Sequence, residues 1–378
     1  TGTGVVSTDV ECAPNTEGGI DNEVGYYAAG NATIDGEGML GNTYVVGDLT
    51  LSASNKFTFG APSSGGLENW PWIPDQQGTT LSVGGDFIHN SGNVTVGNDV
   101  THTSHDYWAG NWYVGGEFLP AEPVFGKDGN PSPYLFSGGD RIPNTEAFTK
   151  DYVSQFPTRL EKNIKYLADA ANRCVAQPKF IGGWDEEAAT VLENTTVVTW
   201  DEECAHRAGG TAQPTLVVEL NSDDLSKLTT THDRIDFRGF PEDGTVVFRV
   251  TAADDDGNVS MIKVNFTYYL DRELAGTGGT WDGNDPGSPL VPWNSRVLWY
   301  FPSQHNVSLE DGFNAPLGSV LHAGDGTLDI NELETTARIY TKGDLIANPG
   351  SDLRTAPFEG FPVQECDNAY AQVELAKT

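Results

Sequence analysis

The chain has 378 residues and a formal charge of −33 at pH 7, because 54 acidic residues outnumber 21 basic ones. A field of this sign repels nucleic acid and anionic membrane surfaces, and it excludes nucleic acid as a partner. The content of 38% hydrophobic and 10% aromatic residues is enough for a large core, and 44 glycines with 21 prolines indicate a turn-rich, mainly β protein.

The start of the chain, residues 1–25, is predicted to be an irregular lead-in rich in Gly and Asn. The chain begins at Thr1 without an initiator methionine and shows no charged-then-apolar signal segment. No apolar run is long enough to span a membrane, so no membrane insertion is expected. These features predict a mature protein that is secreted, extracellular or associated with the cell surface.

A short phrase recurs along residues 26–120 at about one coil's length. Each copy has a β-branched residue, a Gly, an acidic or amide residue and an apolar residue, and the copies are Val46–Leu49, Val83–Phe87, Val96–Val100 and Val114–Phe118. Around the copies, apolar and small polar residues alternate, which predicts short half-buried strands. Recurrence predicts that the strands stack as a β-helix or solenoid, and Gly343-Asp344-Leu345 predicts that the architecture resumes near the C-terminus.

Four tryptophans fall in loops beside the repeated strands: Trp70, Trp72, Trp108 and Trp112. Clustered loop aromatics stack on sugar rings or anchor protein interfaces. They equally plug the end of a solenoid, where backbone edges are otherwise exposed. The four residues are therefore candidate ligand or interface contacts, with plugging as the alternative.

Residues 144–176 hold the predicted helical stretch, a hairpin of two helices separated by Pro157. Thr158 and Glu161 have the spacing of a capping box, which predicts the start of the second helix. One helical face then collects the apolar residues Leu160, Ile164, Leu167, Ala171 and Cys174. A single apolar stripe predicts a lid packed on the β core, with a partner-binding helix as the alternative.

Strands are predicted again from Thr215. Within a β insertion of about residues 215–270, two strands, Thr245–Ala252 and Val259–Tyr269, flank an Asp-rich turn and predict a β-hairpin. Residues 290–363 resume β-rich sequence, and residues 364–378 form a C-terminal tail. Residues 26–363 are therefore expected to be one β-helical domain that carries the helical hairpin and the β-hairpin as insertions.

The four cysteines, Cys12, Cys174, Cys204 and Cys366, form no pair with the spacing of a zinc site. Wide spacing in an acidic, Lys-poor chain predicts two disulfides formed in an oxidising compartment. We expect the pairs Cys174–Cys204 and Cys12–Cys366, although three connectivities exist and four buried thiols are the alternative.

Two further kinds of site have candidates in the sequence. The predicted N-glycosylation sites are the six sequons at Asn31, Asn93, Asn194, Asn258, Asn265 and Asn306. Acidic turns supply the candidate calcium ligands Asp254, Asp256, Asp282 and Asp285. Exposed turn acids are more often unligated, so no cofactor is expected to be required, and calcium is the one candidate.

Five segments, taken together in order, carry a family resemblance. They are Val45–Ser52 with the later Val-Gly-Gly-Asp copies, the helical hairpin, Asn221–Leu225 followed by Asp243–Val250, Val297–Pro302, and Gly318–Leu321 followed by residues 343–345 and 357–360. In this order they resemble the choice-of-anchor A domain, an adhesive domain of secreted and surface-attached proteins with β-helical character. Tyr300 stands where that family has Asn, and His322-Ala323-Gly324 where it has Ala-Pro-Asn.

The resemblance implies adhesion or surface assembly and supplies no catalytic residues. We therefore predict a non-catalytic extracellular protein that binds other extracellular proteins or glycans. A subunit that binds copies of itself in a filament or coat is the first alternative. A carbohydrate-active β-helix enzyme is the second, but the chain is poor in the Arg and Lys that lyases use against anionic sugars.

Overall fold

The computed structural model describes residues 24–36, 38–40, 42–60, 79–96, 111–119, 135–137, 141–143, 156–172, 174–185, 189–206, 213–261, 263–277, 287–310, 316–331, 337–348, 356 and 358–360. Twenty-five strands, two α-helices and a 3-10 turn at Val291–Ser295 occur in these residues. The strands form three sheets, here named A, B and C. No helix among these residues has the length and apolar character needed to cross a membrane.

Sheet A has ten strands, all parallel to their neighbours. They are β1 (Val24–Ala28), β4 (Asn42–Val45), β6 (Thr79–Val83), β8 (Asn111–Val114), β11 (Arg141–Pro143), β14 (Thr215–Leu220), β16 (Thr245–Val250), β20 (Val297–Phe301), β22 (Ser319–His322) and β24 (Ile339–Thr341).

Sheet B also has ten parallel strands. They are β2 (Ala32–Asp35), β3 (Gly38–Leu40), β5 (Leu49–Gly60), β7 (Phe87–Val96), β9 (Phe118–Leu119), β10 (Leu135–Ser137), β17 (Val259–Met261), β21 (Val307–Glu310), β23 (Thr327–Asn331) and β25 (Asp344–Asn348). The five strands of sheet C are β12 (Lys179–Asp185), β13 (Thr190–Thr199), β15 (Arg234–Arg238), β18 (Thr267–Leu270) and β19 (Glu273–Thr277).

The chain winds through the sheets as coils of a solenoid. Most strands of sheet A lead through a short corner to a strand of sheet B, as β4 leads to β5 and β24 leads to β25. Alternate residues of each strand point inward, so the core is a column of apolar side chains between the sheets. Inside this column Phe248 stacks on Trp299 with ring centroids 4.5 Å apart. The predicted mainly β, solenoid-like fold is confirmed.

The order of the coils in space differs from their order in the chain. Along sheet A the strands lie in the order β11-β8-β6-β4-β1-β24-β22-β20-β16-β14. The chain thus starts in the middle of the solenoid and runs to one end through β11. It then begins again at the other end with β14 and returns to the middle, where β24 pairs with β1.

The β14 end of the solenoid is covered by other parts of the chain. Ala176 forms a parallel bridge to Val218 of β14, and helix α2 (Ser222–Thr230) takes the place that a strand of sheet B would have in this coil. Leu225 and Leu228 of α2 are buried in the core. Asn221 caps the helix, because its side-chain oxygen accepts the Asp224 N–H at 3.0 Å.

Helix α1 (Phe156–Ala171) packs on the outer face of sheet A, within a buried cluster that extends from β4 to β14. Leu167 and Ala171 are buried against outward-pointing residues such as Tyr27 and Tyr340, and Ile164 packs beside them. This is the lid that the apolar stripe predicts. The helix begins at Phe156, so Pro157 lies in its first turn and Thr158 is not its N-cap, contrary to the predicted capping box. The first helix of the predicted hairpin lies outside the described residues.

Two other predictions need correction. Residues 245–269 do not form a β-hairpin, because β16 belongs to sheet A, β17 to sheet B and β18 to sheet C, each paired in parallel with a different coil. The predicted β insertion is therefore a regular part of the solenoid. The phrase copy at Val96–Val100 is not a sheet A to sheet B corner like the other three, because Val96 ends β7.

Candidate functional site

The corner between sheets A and B carries a ladder of side-chain hydrogen bonds, here called the corner ladder. In each case an Asx oxygen accepts the backbone N–H at the same corner of the next coil. Asp344 Oδ1 accepts Asn31 N at 2.7 Å, Asn31 Oδ1 accepts Asp48 N at 2.8 Å, and Asp48 Oδ1 accepts Asp86 N at 2.8 Å. Asp86 Oδ1 then accepts Glu117 N at 2.7 Å.

The glycine of the recurring phrase makes this ladder sterically feasible. A Cβ added to Gly47 would lie 2.3 Å from Asn31 Oδ1, and one added to Gly85 would lie 2.1 Å from Asp48 Oδ1. Real Cβ atoms do not approach an oxygen so closely, so no side chain fits at these positions without displacing the ladder. The phrase therefore has a structural cause: Gly gives room, and the next residue supplies the oxygen.

Two more bonds of this kind lie in the second half of the chain, and both use an amide oxygen as the acceptor. Asn258 Oδ1 accepts Asn306 N at 3.2 Å, and Asn306 Oδ1 accepts Thr327 N at 2.9 Å. The corner positions therefore form one rank across eight coils, the corner rank: Asn258, Asn306, Thr327, Asp344, Asn31, Asp48, Asp86 and Glu117.

Two more ranks follow on the outer face of sheet B, each two residues further along the strands. The central rank is Ser260, Ser308, Asp329, Ile346, Thr33, Thr50, Ile88 and Leu119. The far rank includes Glu310, Asn348, Asp35, Ser52 and Asn90, and it is interrupted between β5 and β7, where a register shift pairs Ser52 with Ser91. These side chains are exposed or half-buried, and neighbours lie about 4.8 Å apart between coils and about 6.7 Å apart along a strand.

The β17 end of this face differs in chemistry from its middle. The coils of β17, β21 and β23 present hydroxyl and carboxylate groups, and Ser308 Oγ donates to Glu310 Oε1 at 2.9 Å. Burial, together with the nearby Glu310 charge, raises the pKa of Asp329 above its usual range. Towards the middle the central rank becomes neutral and β-branched, through Ile346, which is 44% exposed, then Thr33, Thr50 and Ile88.

The other sheets leave less regular surface. The outward apolar residues of sheet A from β4 to β14 form one buried cluster with α1, and sheet C is shorter and ends in antiparallel strands. The outer face of sheet B is thus the long, flat and regular surface of the described residues, and it is the candidate functional site. A flat array of short side chains suits an extended or repeating ligand better than a small molecule, which a concave pocket would enclose.

The residues singled out from the sequence are scattered relative to this face. Trp70, Trp72 and Trp108 lie outside the described residues. Trp112 lies in β8 of sheet A, where it pairs in register with Leu81 and Arg141. The structure therefore does not place these tryptophans on the outer face of sheet B, and their role stays a prediction.

The acidic turn at Asp254 is explained by its own backbone. Asp254 Oδ1 accepts the N–H groups of Asp256 at 3.0 Å and Asn258 at 2.8 Å, and the Asn258 N–H in particular lowers the pKa of this carboxyl. Asp282 and Asp285 lie outside the described residues. Across the part of the chain that the structure describes, no three His, Cys, Asp or Glu side chains are grouped to hold a metal ion.

The sequons and cysteines fall in several places. Asn31, Asn258 and Asn306 belong to the corner ladder, Asn194 is exposed on β13, Asn265 is half-buried, and Asn93 lies in β7. A disulfide joins Cys174 to Cys204 with a Cα–Cα distance of 5.1 Å, while Cys12 and Cys366 lie outside the described residues. Glycosylation and the second pairing stay predictions.

Sequence reasoning missed the central and far ranks. Their residues are mostly small and of common types. The one signal that could have identified them is their spacing, since they lie two or four residues after a Gly-Asx corner. The first such corner, Ala29-Gly30-Asn31, was also missed, because Ala replaces the β-branched residue of the phrase.

Comparison with known proteins identifies the family. The profile of the family described as "Putative Ice-binding-like adhesive domain" matches residues 23–347, and no curated protein matches the chain. A solved structure titled "Crystal structure of ice binding protein from an Antarctic bacterium Flavobacteriaceae" is 11% identical, with a TM-score of 0.27 over 87% of this chain and 80% of that chain. Neither ligand nor function follows from so low a similarity. Because the profile spans most of its length, the chain belongs to the family of ice-binding-like adhesive domains.

Proposed function

We propose that this protein is a non-catalytic adhesive domain of an extracellular or cell-surface protein, and that it binds its ligand through the outer face of sheet B. The observation that carries this proposal is the regular array of the corner and central ranks on that face, next to a sheet A whose outer face from β4 to β14 is buried with α1. The family description supports adhesion as the activity. The finer resemblance to choice-of-anchor A domains stays a prediction.

The ligand class that fits best is a glycan or protein surface with many weak contacts. The face offers hydroxyl, amide and carboxylate groups at fixed spacing, which suits hydrogen bonding to a polar repeating ligand. Ile346 and Ile88 add apolar contact in the central rank. The adhesive family favours this function over the carbohydrate-active enzyme that the sequence left as an alternative.

The test is a double substitution in the centre of the face. Thr33→Tyr with Thr50→Tyr places two bulky rings side by side on adjacent coils, since these residues are register partners. We expect binding to a printed glycan array, or to immobilised fibronectin and collagen, to fall by about tenfold or more, because the flat contact is lost.

The matched control is Thr199→Tyr with Thr230→Tyr, two exposed threonines on β13 and α2 that belong to none of the three ranks. Binding that stays within about twofold of the unmodified protein is expected there. Equal binding by both double variants, or no binding to any of the three probes, would refute the outer face of sheet B as a glycan- or protein-binding site.

Ice is a second candidate ligand, and one observation favours it. The run Ile346, Thr33, Thr50 and Ile88 is neutral and rigid at χ1, and its members repeat at the coil spacing of about 4.8 Å. If ice is the ligand, the protein will inhibit ice recrystallisation, and the Thr33→Tyr, Thr50→Tyr variant will lose that inhibition while the Thr199→Tyr, Thr230→Tyr variant keeps it. Recrystallisation at the rate of a buffer blank would exclude ice.

A further inference from the structure

The middle of the solenoid is a joint between two separate lengths of chain, here called the seam. On one side is the N-terminal half, described within residues 24–143, and on the other the C-terminal half, described within residues 174–360. At the seam β1 pairs with β24 and β2 pairs with β25, both in parallel. The covalent connection between the halves runs through α1.

The seam uses the same interactions as a joint between consecutive coils. Ala29 N donates to Thr341 O at 3.0 Å and Gly30 N donates to Gly343 O at 2.9 Å. One coil further along, Val46 N donates to Ala28 O at 2.9 Å and Gly47 N donates to Gly30 O at 2.9 Å. The corner ladder also crosses the seam without a break, through Asp344 and Asn31.

What distinguishes the seam is its separation along the chain. Asn31 and Asp344 are 313 residues apart in sequence, whereas Asn31 and Asp48 are 17 apart. The N-terminal half can stack its own coils long before residues 339–348 reach it. Until they do, β1 and β2 present an unpaired parallel edge, and unpaired edges are templates for another chain.

A second copy of this chain carries the complement of that edge in its own β24 and β25. We propose that copies of this protein exchange halves at the seam, so that the N-terminal half of one copy stacks on the C-terminal half of another. Every strand pair, core contact and corner bond of the seam is kept in the exchanged form, so the two forms differ mainly in chain connectivity and concentration. Each copy has one edge of each kind, so exchange gives closed dimers or open head-to-tail chains.

Charge and the position of α1 set the conditions for exchange. A formal charge of −33 opposes any close approach of two copies, so exchange is favoured by salt and by high protein concentration during folding. Helix α1 shares one buried cluster with residues of both halves, including Tyr44 and Val247, so its packing opposes separation of the halves once they have joined. This inference does not rest on the outer face of sheet B as the binding site.

The experiment uses engineered cysteine pairs in the full-length chain, with Cys12→Ser and Cys366→Ser as background. The seam pair is Thr33→Cys with Ile346→Cys, which are register partners across the seam. The control pair is Thr33→Cys with Thr50→Cys, register partners within the N-terminal half. Adjacent parallel strands bring both pairs within the range of about 4.4–6.8 Å between Cα atoms that a disulfide needs.

Each variant is unfolded, refolded at low and at high protein concentration with its thiols protonated, and only then oxidised. On a non-reducing gel, the seam pair should give monomers at low concentration and covalent dimers or ladders at high concentration. The control pair should give monomers at both, because its two cysteines belong to the same half in every form.

Three outcomes would overturn the proposal. Seam-pair monomers at every concentration would mean that the halves close only within one chain. Equal ladders from both pairs would mean random cross-linking. The third outcome concerns native protein that has not been unfolded and refolded. If the seam pair forms no disulfide in it while the control pair does, the register of the seam is wrong. Light scattering of the unmodified protein after refolding gives the mass of the exchanged form without any substitution.

Discussion

Each Asx side chain of the corner ladder stabilises the neighbouring coil and not its own turn. The oxygen that Asp86 supplies is bound by the N–H of Glu117, which follows it by 31 residues. Since Asn performs the same task at positions 31, 258 and 306, acceptance of the hydrogen bond is the requirement and negative charge is not.

This argument predicts different results for two substitutions of Asp86. Asp86→Ala removes the acceptor, and we expect the free energy of unfolding to fall by about 1 kcal/mol. Asp86→Asn keeps an acceptor oxygen and should stay within about 0.5 kcal/mol of the unmodified protein. Urea denaturation measures both, and an Asn variant that is as unstable as the Ala variant would contradict the ladder.

A second residue-scale prediction concerns His322, which is fully buried in β22. Its Nε2 lies 2.9 Å from the Gln304 carbonyl and its Nδ1 lies 2.9 Å from Thr341 Oγ1. Burial lowers the pKa of His322 below its usual value of 6.5, and the Gln304 carbonyl opposes this only in part. The ring is therefore neutral in the folded protein, donating from Nε2 and accepting the Thr341 hydroxyl at Nδ1.

The sign of the pH dependence follows from that lowered pKa. Above about pH 6.5 the ring is neutral in both states, and as pH falls below this value only the unfolded chain takes up the proton, so stability is lost down to the folded pKa. We expect the free energy of unfolding to drop more between about pH 7.5 and 5.5 for the unmodified protein than for His322→Gln. His89 and His232 are present in both proteins, so the difference isolates His322; parallel curves would refute the prediction.

At the scale of elements, the outer face of sheet A packs against helix α1, whereas the outer face of sheet B contacts solvent. The outward residues of sheet A are large and apolar, such as Tyr27, Leu298 and Tyr340, whereas those of sheet B are mostly small and polar. The amphipathic helix therefore contributes a second core, separate from the one inside the solenoid. Burial of this layer also raises the pKa of Tyr300, to about 12.

The contribution of this second core can be measured at Leu167, which is 1% exposed. Leu167→Ala leaves a cavity between α1 and sheet A, and we expect a loss of about 2–4 kcal/mol in the free energy of unfolding. Lys165→Ala on the exposed side of the same helix is the control and should change it by less than about 0.5 kcal/mol. Similar losses in both variants would mean that helix formation, and not packing on sheet A, determines the result.

At the scale of the whole molecule, the sequence was sufficient for the solenoid and insufficient for its coil order. Gly47, Gly85 and Gly116 stand out because a close approach forbids other residues there. Nothing comparable marks β1 and β24 as neighbours, since every coil edge offers the same backbone groups. The turn at Asp254 shows the same limit, because its local chemistry suits both a hairpin and a solenoid corner. Only the pairing partner of the strand that follows distinguishes the two.

The candidate site could not be found from the sequence because its residues do little for the fold. Thr33 and Thr50 face outward, so packing does not dictate their identity, and no motif arises. The tryptophans are conspicuous in the sequence because they are large, but the one that the structure describes, Trp112, lies in β8 of sheet A. A regular surface is recognised only after the register of parallel strands that are distant in sequence is known.

The path of the chain also determines how the solenoid would be oriented on a support attached at either end of the described residues. The described residues begin at Val24, halfway along the solenoid. They end near its β14 end, where Glu359 N donates to Ser295 O and Gly360 lies against Thr215, the first residue of β14. A support attached on the N-terminal side would hold the solenoid at its middle and leave both of its ends exposed. A support attached on the C-terminal side would hold the solenoid at its β14 end, so that the β11 end would lie furthest from the support.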